Sequence, residues 1–299
     1  MSPRRITASP EQPSGISTAQ SVPPGGRTGR SGSATQALLD VLEEYVAPDG
    51  EGVWQETLVG ALRVLGHGPA AVRQAVSRSA REGALTSSRH GNRSYVELTE
   101  EARETLLLGA EHLRGEAGRD DWDGTWDVFV VQSKGRNPSA HYRLRTSMLL
   151  NGLGYLGNGV WISPRARFKD EIVEALSAEP GVSVTRMVSR IEHPEARIVA
   201  ERAWDLDAVA DRYERLLADF GDRAPEGPED CFRDWTELVH AWRACVLAEP
   251  GLPSDVLGLD WPYARARDLV EDRRHSWGPQ AHAYFRSLTP EGTGAREAQ

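Results

Sequence analysis

Gly152-Leu-Gly154-Tyr-Leu-Gly157 fits the pattern G-x-G-x-x-G letter for letter in this 299-residue chain. In dinucleotide-binding proteins that pattern follows a strand and opens a helix, so that the pyrophosphate meets the helix N-terminus. Here the glycines follow a helix predicted from Pro138 to about Asn151 and precede a strand predicted at Val160–Ser163. We therefore expect a structural turn at these glycines and no nucleotide cofactor.

Two groups of residues have side chains that bind metals. Cys231, His240 and Cys245 would project in different directions from one helix, and a rise of 1.5 Å per residue separates the cysteines by about 21 Å, so they cannot share a zinc ion. An acidic cluster surrounds Trp122 and Trp126 and consists of Asp120, Asp121, Asp123 and Asp127. Carboxylates suit Mg²⁺, and a nuclease using Asp127 and its neighbours is one hypothesis. The simpler interpretation is a solvated linker and an Asp-Gly turn, because no convergent catalytic group follows downstream, and we predict no metal and no catalytic residue.

A predicted helix starting at Pro69 carries side chains that hydrogen-bond to DNA bases. At about 100° per residue, five polar side chains fall within an arc of roughly 140°: Arg73, Gln74, Ser77, Arg78 and Arg81. The opposite side is mostly apolar. Guanidinium and amide groups match the edges of guanine and adenine in the major groove, and a hydroxyl can bond either base or phosphate. The alternative is an arginine-rich solvated helix in a protein-interaction module.

Two further sets of residues are candidates for binding an anionic small molecule. His240 and Arg243 lie beside Trp242, where a guanidinium would hold phosphate or carboxylate and an indole would stack on a flat ring. Arg143 and Arg145 on the predicted central helix are similar candidates. A surface salt bridge is the competing role for each of these residues.

The elements that must position the arginine helix follow from periodicity and turn signals. Three helices are predicted: from Ser33-Ala34 to before Pro48, from about Trp54 to Leu65 before Gly66, and from Pro69 to Glu82 before Gly83. A hairpin follows, turning at His90-Gly91-Asn92, and Thr99 is a good N-cap for a helix to about Leu113. This order is typical of a winged helix-turn-helix. Arg89, His90 and Arg93 would then contact the DNA backbone or the minor groove from the wing.

Charge is segregated along the chain. The whole chain has a formal charge of -9, which by itself argues against a nucleic-acid partner. Residues 60–96, however, carry +5 and residues 1–33 carry +3, so the remainder carries -17. The basic window coincides with the predicted arginine helix and hairpin, which favours DNA as the partner.

The rest of the chain is predicted to form two more domains. Strands at Thr125–Gln132, Val160–Ser163 and Val182–Ile191, with helices between them and a short fourth strand at Ala196–Ala200, indicate a ferredoxin-like α+β domain. The pattern is helical from Trp204 onward. The predicted fold class is α+β, divided into a disordered tail (1–33), a winged helix-turn-helix domain (34–115), a ferredoxin-like domain (120–202), a helical domain (203–290) and a flexible tail (291–299). Two cysteines, no secretory signal and no apolar stretch of membrane-spanning length predict a cytoplasmic protein without a membrane partner.

Six stretches, in order, resemble one known family, the PaaX-type transcriptional repressors. They are Ala71-Val-Arg-Gln-Ala-Val-Ser-Arg78, Arg93-Ser-Tyr-Val-Glu-Leu-Thr99, Asp121-Trp-Asp-Gly-Thr-Trp126, Gly154-Tyr-Leu-Gly-Asn-Gly-Val-Trp-Ile-Ser-Pro164, Leu238-Val-His-Ala-Trp-Arg243 and Asp260-Trp-Pro262. The resemblance covers residues 34 to 290. Ser79, Ala80 and Ala84 depart from it, since larger residues are usual at those places.

The resemblance implies a homodimer that represses transcription from a palindromic DNA operator and releases it on binding a small effector, often an aryl-acyl-CoA thioester. It also implies a central domain similar to a small CRISPR-adaptation endonuclease. The predicted function is therefore a ligand-responsive DNA-binding regulator, with the nuclease as the alternative.

Overall fold

The first helix, α1 (Ala34–Val41), begins where the sequence predicts. The Ser33 hydroxyl accepts a hydrogen bond from the Gln36 N–H at 3.3 Å, which caps the helix. The helix continues as a π-helical turn, Leu42–Val46, in which the Ala47 N–H donates to the Leu42 carbonyl at 2.8 Å. Such turns widen a helix and are frequent at functional sites. The predicted end before Pro48 is confirmed, whereas the wide turn had no signal in the sequence.

Two helices follow, α2 (Gln55–Val64) and α3 (Pro69–Arg81). Trp54, predicted as part of the second helix, lies instead in a short strand, β1 (Val53–Trp54), because it pairs with Tyr95 in a sheet. Both helices end with a glycine at positive φ, Gly66 at 86° and Gly83 at 82°. The N–H groups of Gly83 and Ala84 donate to the carbonyls of Ala80 and Ser79, the pairing of a Schellman motif.

The predicted hairpin is confirmed as β2 (Leu85–His90) and β3 (Arg93–Leu98). Its two-residue turn starts with Gly91 at φ 62°, a conformation that glycine adopts without strain. The antiparallel sheet has the order β1-β3-β2. Helix α4 (Glu100–Leu113) follows, and the Thr99 hydroxyl accepts from the Ala102 N–H at 3.4 Å.

A second antiparallel sheet has the order β5-β6-β4-β7. Its strands and the helix between the last two are β4 (Thr125–Ser133), β5 (Gly154–Gly157), β6 (Val160–Ser163), α5 (Lys169–Ala178) and β7 (Val182–Arg190). The predicted turn at the glycines is thus partly a strand, β5, that pairs with β6. The fourth strand predicted at Ala196–Ala200 is wrong: this segment begins helix α6 (Ala196–Ala203), whose Val199 and Ala200 are buried against Trp126 and Ile162.

The C-terminal part is helical, as predicted. Its helices are α7 (Leu206–Phe220), α8 (Pro228–Ala248), the short α9 (Ser254–Leu257), α10 (Tyr263–Ser276) and α11 (Gly278–Ser287). One apolar core runs from Ala37 to Phe285 and joins α1, α2 and α3 to α7, α8, α10 and α11. Smaller cores lie on the two faces of the four-stranded sheet, around Phe129 on one face and Trp126 on the other.

These elements come from a computed structural model, which describes residues 32–113, 122–133, 145, 148–149, 152–164, 169–178, 181–192, 195–258 and 260–290. They belong to one compact unit of the chain, Ser31–Gln299. The α+β fold class is confirmed. The predicted tails at 1–33 and 291–299 and most of the predicted helix Pro138–Asn151 lie outside the described residues, although Arg145, Met148 and Leu149 are helical. No described helix has both the length and the apolar character to cross a membrane.

Both cysteines are expected to resist thiol reagents in the native protein. Cys231 and Cys245 are buried on α8, and burial raises the pKa of the Cys245 thiol to about 12. Because the thiolate is the reactive form, alkylation at pH 8 should be slow until the C-terminal helices unfold. Mass spectrometry after a timed iodoacetamide pulse, with and without urea, measures this. Rapid alkylation of Cys245 without urea would contradict the packing of α8.

Candidate nucleic-acid interface

Helix α3 presents the predicted polar face to solvent. Arg73, Gln74, Ser77, Arg78 and Arg81 are all exposed, whereas Val72, Ala75, Val76 and Ser79 are buried in the core. Within the described part of the chain, none of the three guanidinium groups forms an ion pair. By contrast, Arg186 and Arg223 pair with carboxylates elsewhere. Three neighbouring unpaired guanidinium groups on a rigid helix are suited to an external anion.

The hairpin places its polar side chains at the turn. The Arg89 Nε–H donates to the Gly91 carbonyl at 3.2 Å, and Arg93 lies directly across from His90 in the register. The His90 Nε2 lies 3.0 Å from the Ser88 hydroxyl. All three predicted wing residues therefore lie at or next to one exposed turn.

Trp54 is a residue of this region that periodicity assigned to the wrong element. Its ring packs edge-on against His90 and Tyr95, with centroids 5.7 and 5.1 Å apart. The Thr99 hydroxyl adds a second link by donating to the Gly83 carbonyl, just after α3, at 3.0 Å. These contacts fix the hairpin relative to α2 and α3. Gly52, just before β1, permits this close pairing, because a Cβ atom there would lie 2.8 Å from the Val96 carbonyl oxygen.

The two sets of candidate anion-binding residues lie in different surroundings. Arg145 is exposed, with its guanidinium carbon 5.1 Å from the centroid of the Tyr155 ring, and Arg143 lies outside the described residues. His240 and Arg243 face inward to α1 instead: the His240 Nδ1 lies 2.9 Å from the Asp40 carboxylate, and Arg243 pairs with Asp40 and Glu43.

Trp242 is 2% exposed and stacks on Tyr263 at 5.6 Å. A ligand at His240, Trp242 and Arg243 would have to displace partners that these residues already have in the structure. Their assignment to an effector site stays a prediction, as does that of Arg143 and Arg145.

The acidic cluster is engaged in local contacts. Two nitrogens of Arg186 donate to one Asp127 carboxylate oxygen at 2.6 and 2.9 Å. The Asp123 carboxylate accepts from the side chain and backbone of Thr125, which lowers the pKa of Asp123. Asp120 and Asp121 lie outside the described residues. Among those described, no three His, Cys, Asp or Glu side chains are grouped to hold a metal ion. A metal at Asp127 would have to compete with Arg186.

The architecture defines a class of α+β protein with an exposed arginine helix beside a β-hairpin, a four-stranded antiparallel sheet and C-terminal helices. Three domain models match in chain order: "PaaX-like protein" at residues 33–102, "PaaX protein central Cas2-like domain" at 119–199 and "PaaX-like protein C-terminal domain" at 204–287. The chain belongs to the PaaX-like family, which confirms the resemblance found in the sequence.

Two individual proteins are similar over most of the chain. The transcriptional repressor PaaX of Escherichia coli strain K12 is 27% identical over 266 residues, covering 84% of this chain and 83% of the relative. The structure of the uncharacterized protein Rv0674 from Mycobacterium tuberculosis superposes with a TM-score of 0.54 at 24% identity. That alignment covers 81% of this chain and 96% of the other, and it supports the fold alone.

Proposed function

We propose that this chain is a DNA-binding transcriptional repressor in which the elements from α1 to α4 form a winged helix-turn-helix. In this proposal α2 and α3 form the helix-turn-helix, α3 enters the major groove and the β2–β3 hairpin is the wing. The observation that carries the proposal is the exposed face of α3, with three arginines that have no carboxylate partner among the described residues. The repressor function of the Escherichia coli relative supports it.

The charge distribution supports this proposal. The +5 window covers α3 and the hairpin, in a chain whose net charge is -9. An acidic remainder repels the phosphate backbone, so it favours approach through the basic surface alone. This arrangement limits non-specific binding, which depends almost wholly on phosphate contacts.

We further propose that the four-stranded sheet and its helices form a ferredoxin-like domain. In this proposal the protein is a homodimer that binds a palindromic operator and leaves it when a small effector such as an acyl-CoA thioester binds. The strand order β5-β6-β4-β7 supports the ferredoxin-like assignment. Thermal-shift screening of acyl-CoA esters tests the effector, since a ligand specific for the native state raises the Tm by mass action.

The central experiment is selection of bound duplexes from a random DNA pool, followed by titration of the enriched duplex at several salt concentrations. We expect enrichment of one sequence and an affinity that falls linearly on a log–log plot against salt. No enrichment and no salt-dependent affinity would instead support a protein-interaction module.

A residue of the hairpin should act on affinity without changing sequence preference. Replacing Arg89 by alanine removes one phosphate contact, which should reduce the salt slope by about 1 and weaken all sequences about equally. Fluorescence anisotropy of the enriched and a scrambled duplex measures both effects. Thr86→Ala, an exposed change on the same strand, is the uncharged control. A changed sequence preference in Arg89→Ala would contradict the backbone role.

A further inference from the structure

Three carboxylates on one face of α1 and the wide turn after it lie at the boundary with the C-terminal helices. Asp40 is 1% exposed, Glu43 is 7% exposed and Glu44 is half-buried. Burial raises the pKa of the Glu43 carboxyl, and the Arg243 charge opposes that rise. Buried carboxylates are costly unless they are paired and hydrogen-bonded, so their partners matter.

Most of those partners lie about 200 residues further along the chain. Arg243 reaches Asp40 with one nitrogen and Glu43 with another, and His240 meets the second oxygen of Asp40 at 2.9 Å. Glu44 accepts from the Trp235 indole N–H at 2.7 Å and lies 3.3 Å from the His282 Nε2. We call these contacts of Asp40, Glu43 and Glu44 the polar lock.

The polar lock lies beside an apolar contact between the wide turn and the C-terminal helices. The Tyr45 ring packs on Phe232 and Phe285, with centroids 5.1 and 5.0 Å apart, and its hydroxyl lies 2.8 Å from the Thr236 hydroxyl. Apolar burial stabilises association but has no preferred direction. A guanidinium held by two carboxylates has a fixed geometry, because its donors lie in one plane. The lock is therefore suited to setting the angle of α1 on α8.

The angle of α1 determines the direction of α3. The buried side chains of α3, Val72 and Val76, share the core with Leu38 and Val41 of α1. The ion-paired α1 therefore lies between α8 and α3 and packs with both in one core.

We propose that Arg243 and Glu43 are positioning residues for DNA recognition, because the polar lock fixes the orientation of the arginine face relative to the C-terminal helices. The inference about DNA rests on the proposed function; the inference about orientation does not.

The orientation is tested by spin-label distances in the full-length chain. Labels at Ser87→Cys on the hairpin and Asp211→Cys on α7 report the distance between the hairpin and α7. The native cysteines are buried, so we expect only these two positions to be labelled. We expect one narrow distance distribution in the labelled parent and its loss in Arg243→Gln. Arg265→Gln, which breaks an exposed pair with Glu214, is the matched control and should keep the narrow distribution.

Glu43→Gln keeps the side-chain shape and removes one charge of the lock. It replaces Arg243→Gln as the deciding variant if circular dichroism shows that Arg243→Gln does not fold, and we again expect the narrow distribution to be lost. A folded deciding variant that keeps the parental distribution overturns the proposal.

A second measurement connects orientation to DNA. The deciding variant should bind the duplex enriched from the random pool roughly tenfold more weakly than the parent does, which is a typical size for coupling between sites. It should bind a duplex that carries one half of that sequence with the same affinity as the parent. Unchanged affinity for the full duplex overturns the positioning role. If no duplex is enriched and no salt-dependent affinity is found, the proposed function itself has failed, whereas the distance result still decides whether the lock sets the orientation.

Discussion

Arg78→Ala is expected to weaken sequence-specific DNA binding strongly while leaving the fold intact. Arg78 lies on the polar face of α3, is exposed, and has no ion-pair partner among the described residues. A bidentate contact from arginine to guanine contributes about 1–3 kcal/mol of discrimination, so affinity for the enriched duplex should fall roughly 10- to 100-fold. Because the side chain supports no core contact, the Tm should match that of the parent.

The matched control is Arg215→Ala. Arg215 is an exposed arginine on α7, so its removal changes the net charge equally but leaves the α3 face intact. Anisotropy titrations of both variants against the enriched and a scrambled duplex separate loss of specificity from loss of charge. Equal affinities for Arg78→Ala and the parent would reject α3 as the reading helix.

The largest expected loss of stability comes from Gly159→Ala. Gly159 has a φ of 77°, and a Cβ atom there would lie 2.2 Å from the carbonyl oxygen of Val131. The same pair of residues shares a hydrogen bond from the Val131 N–H to the Gly159 carbonyl at 2.8 Å. Relief of the clash must move β4 and β6 apart, so we expect a loss of about 3 kcal/mol or more in the free energy of unfolding.

Gly157→Ala separates the two causes of that loss. Gly157 also has a positive φ, 101°, but no atom lies within 4 Å of the position of its Cβ. It should therefore show only the backbone strain, about 1–3 kcal/mol. Urea denaturation followed by circular dichroism compares the two variants. Equal losses would show that the approach to Val131 is not tight.

Local signals in the sequence predicted most of the elements from α1 to α4. Ser33, Gly66, Gly83, Gly91 and Thr99 each act within a few residues, and each cap, helix end or turn that they predict is present. The amphipathic spacing of α3 likewise separates its exposed and buried faces as predicted. Trp54 was assigned wrongly because pairing with Tyr95, far along the chain, overrides its fit to a helical period.

Long-range contacts also explain the other differences. Ile198 and Val199 favour a strand by type, but Ala196–Ala203 is helical because one side of it packs on Trp126 and Ile162. His240 and Arg243 looked like an open anion site, since the sequence could not show that Asp40 and Glu43 lie opposite them. Spacing along a chain predicts which face a side chain occupies, and it does not predict which distant element covers that face.

The core that runs from Ala37 to Phe285 has a consequence for synthesis of the protein. A ribosome releases α1, α2 and α3 long before α8 and α11, so the first helices emerge without the surfaces that cover Tyr45 and the buried carboxylates. Domains at the N-terminus of a chain usually complete their folding first during translation. Here we expect a delay instead: the wide turn after α1 gains its final contacts only when α11 has left the ribosome, so a chain that ends before α11 should lack the fixed orientation of the arginine face that we propose.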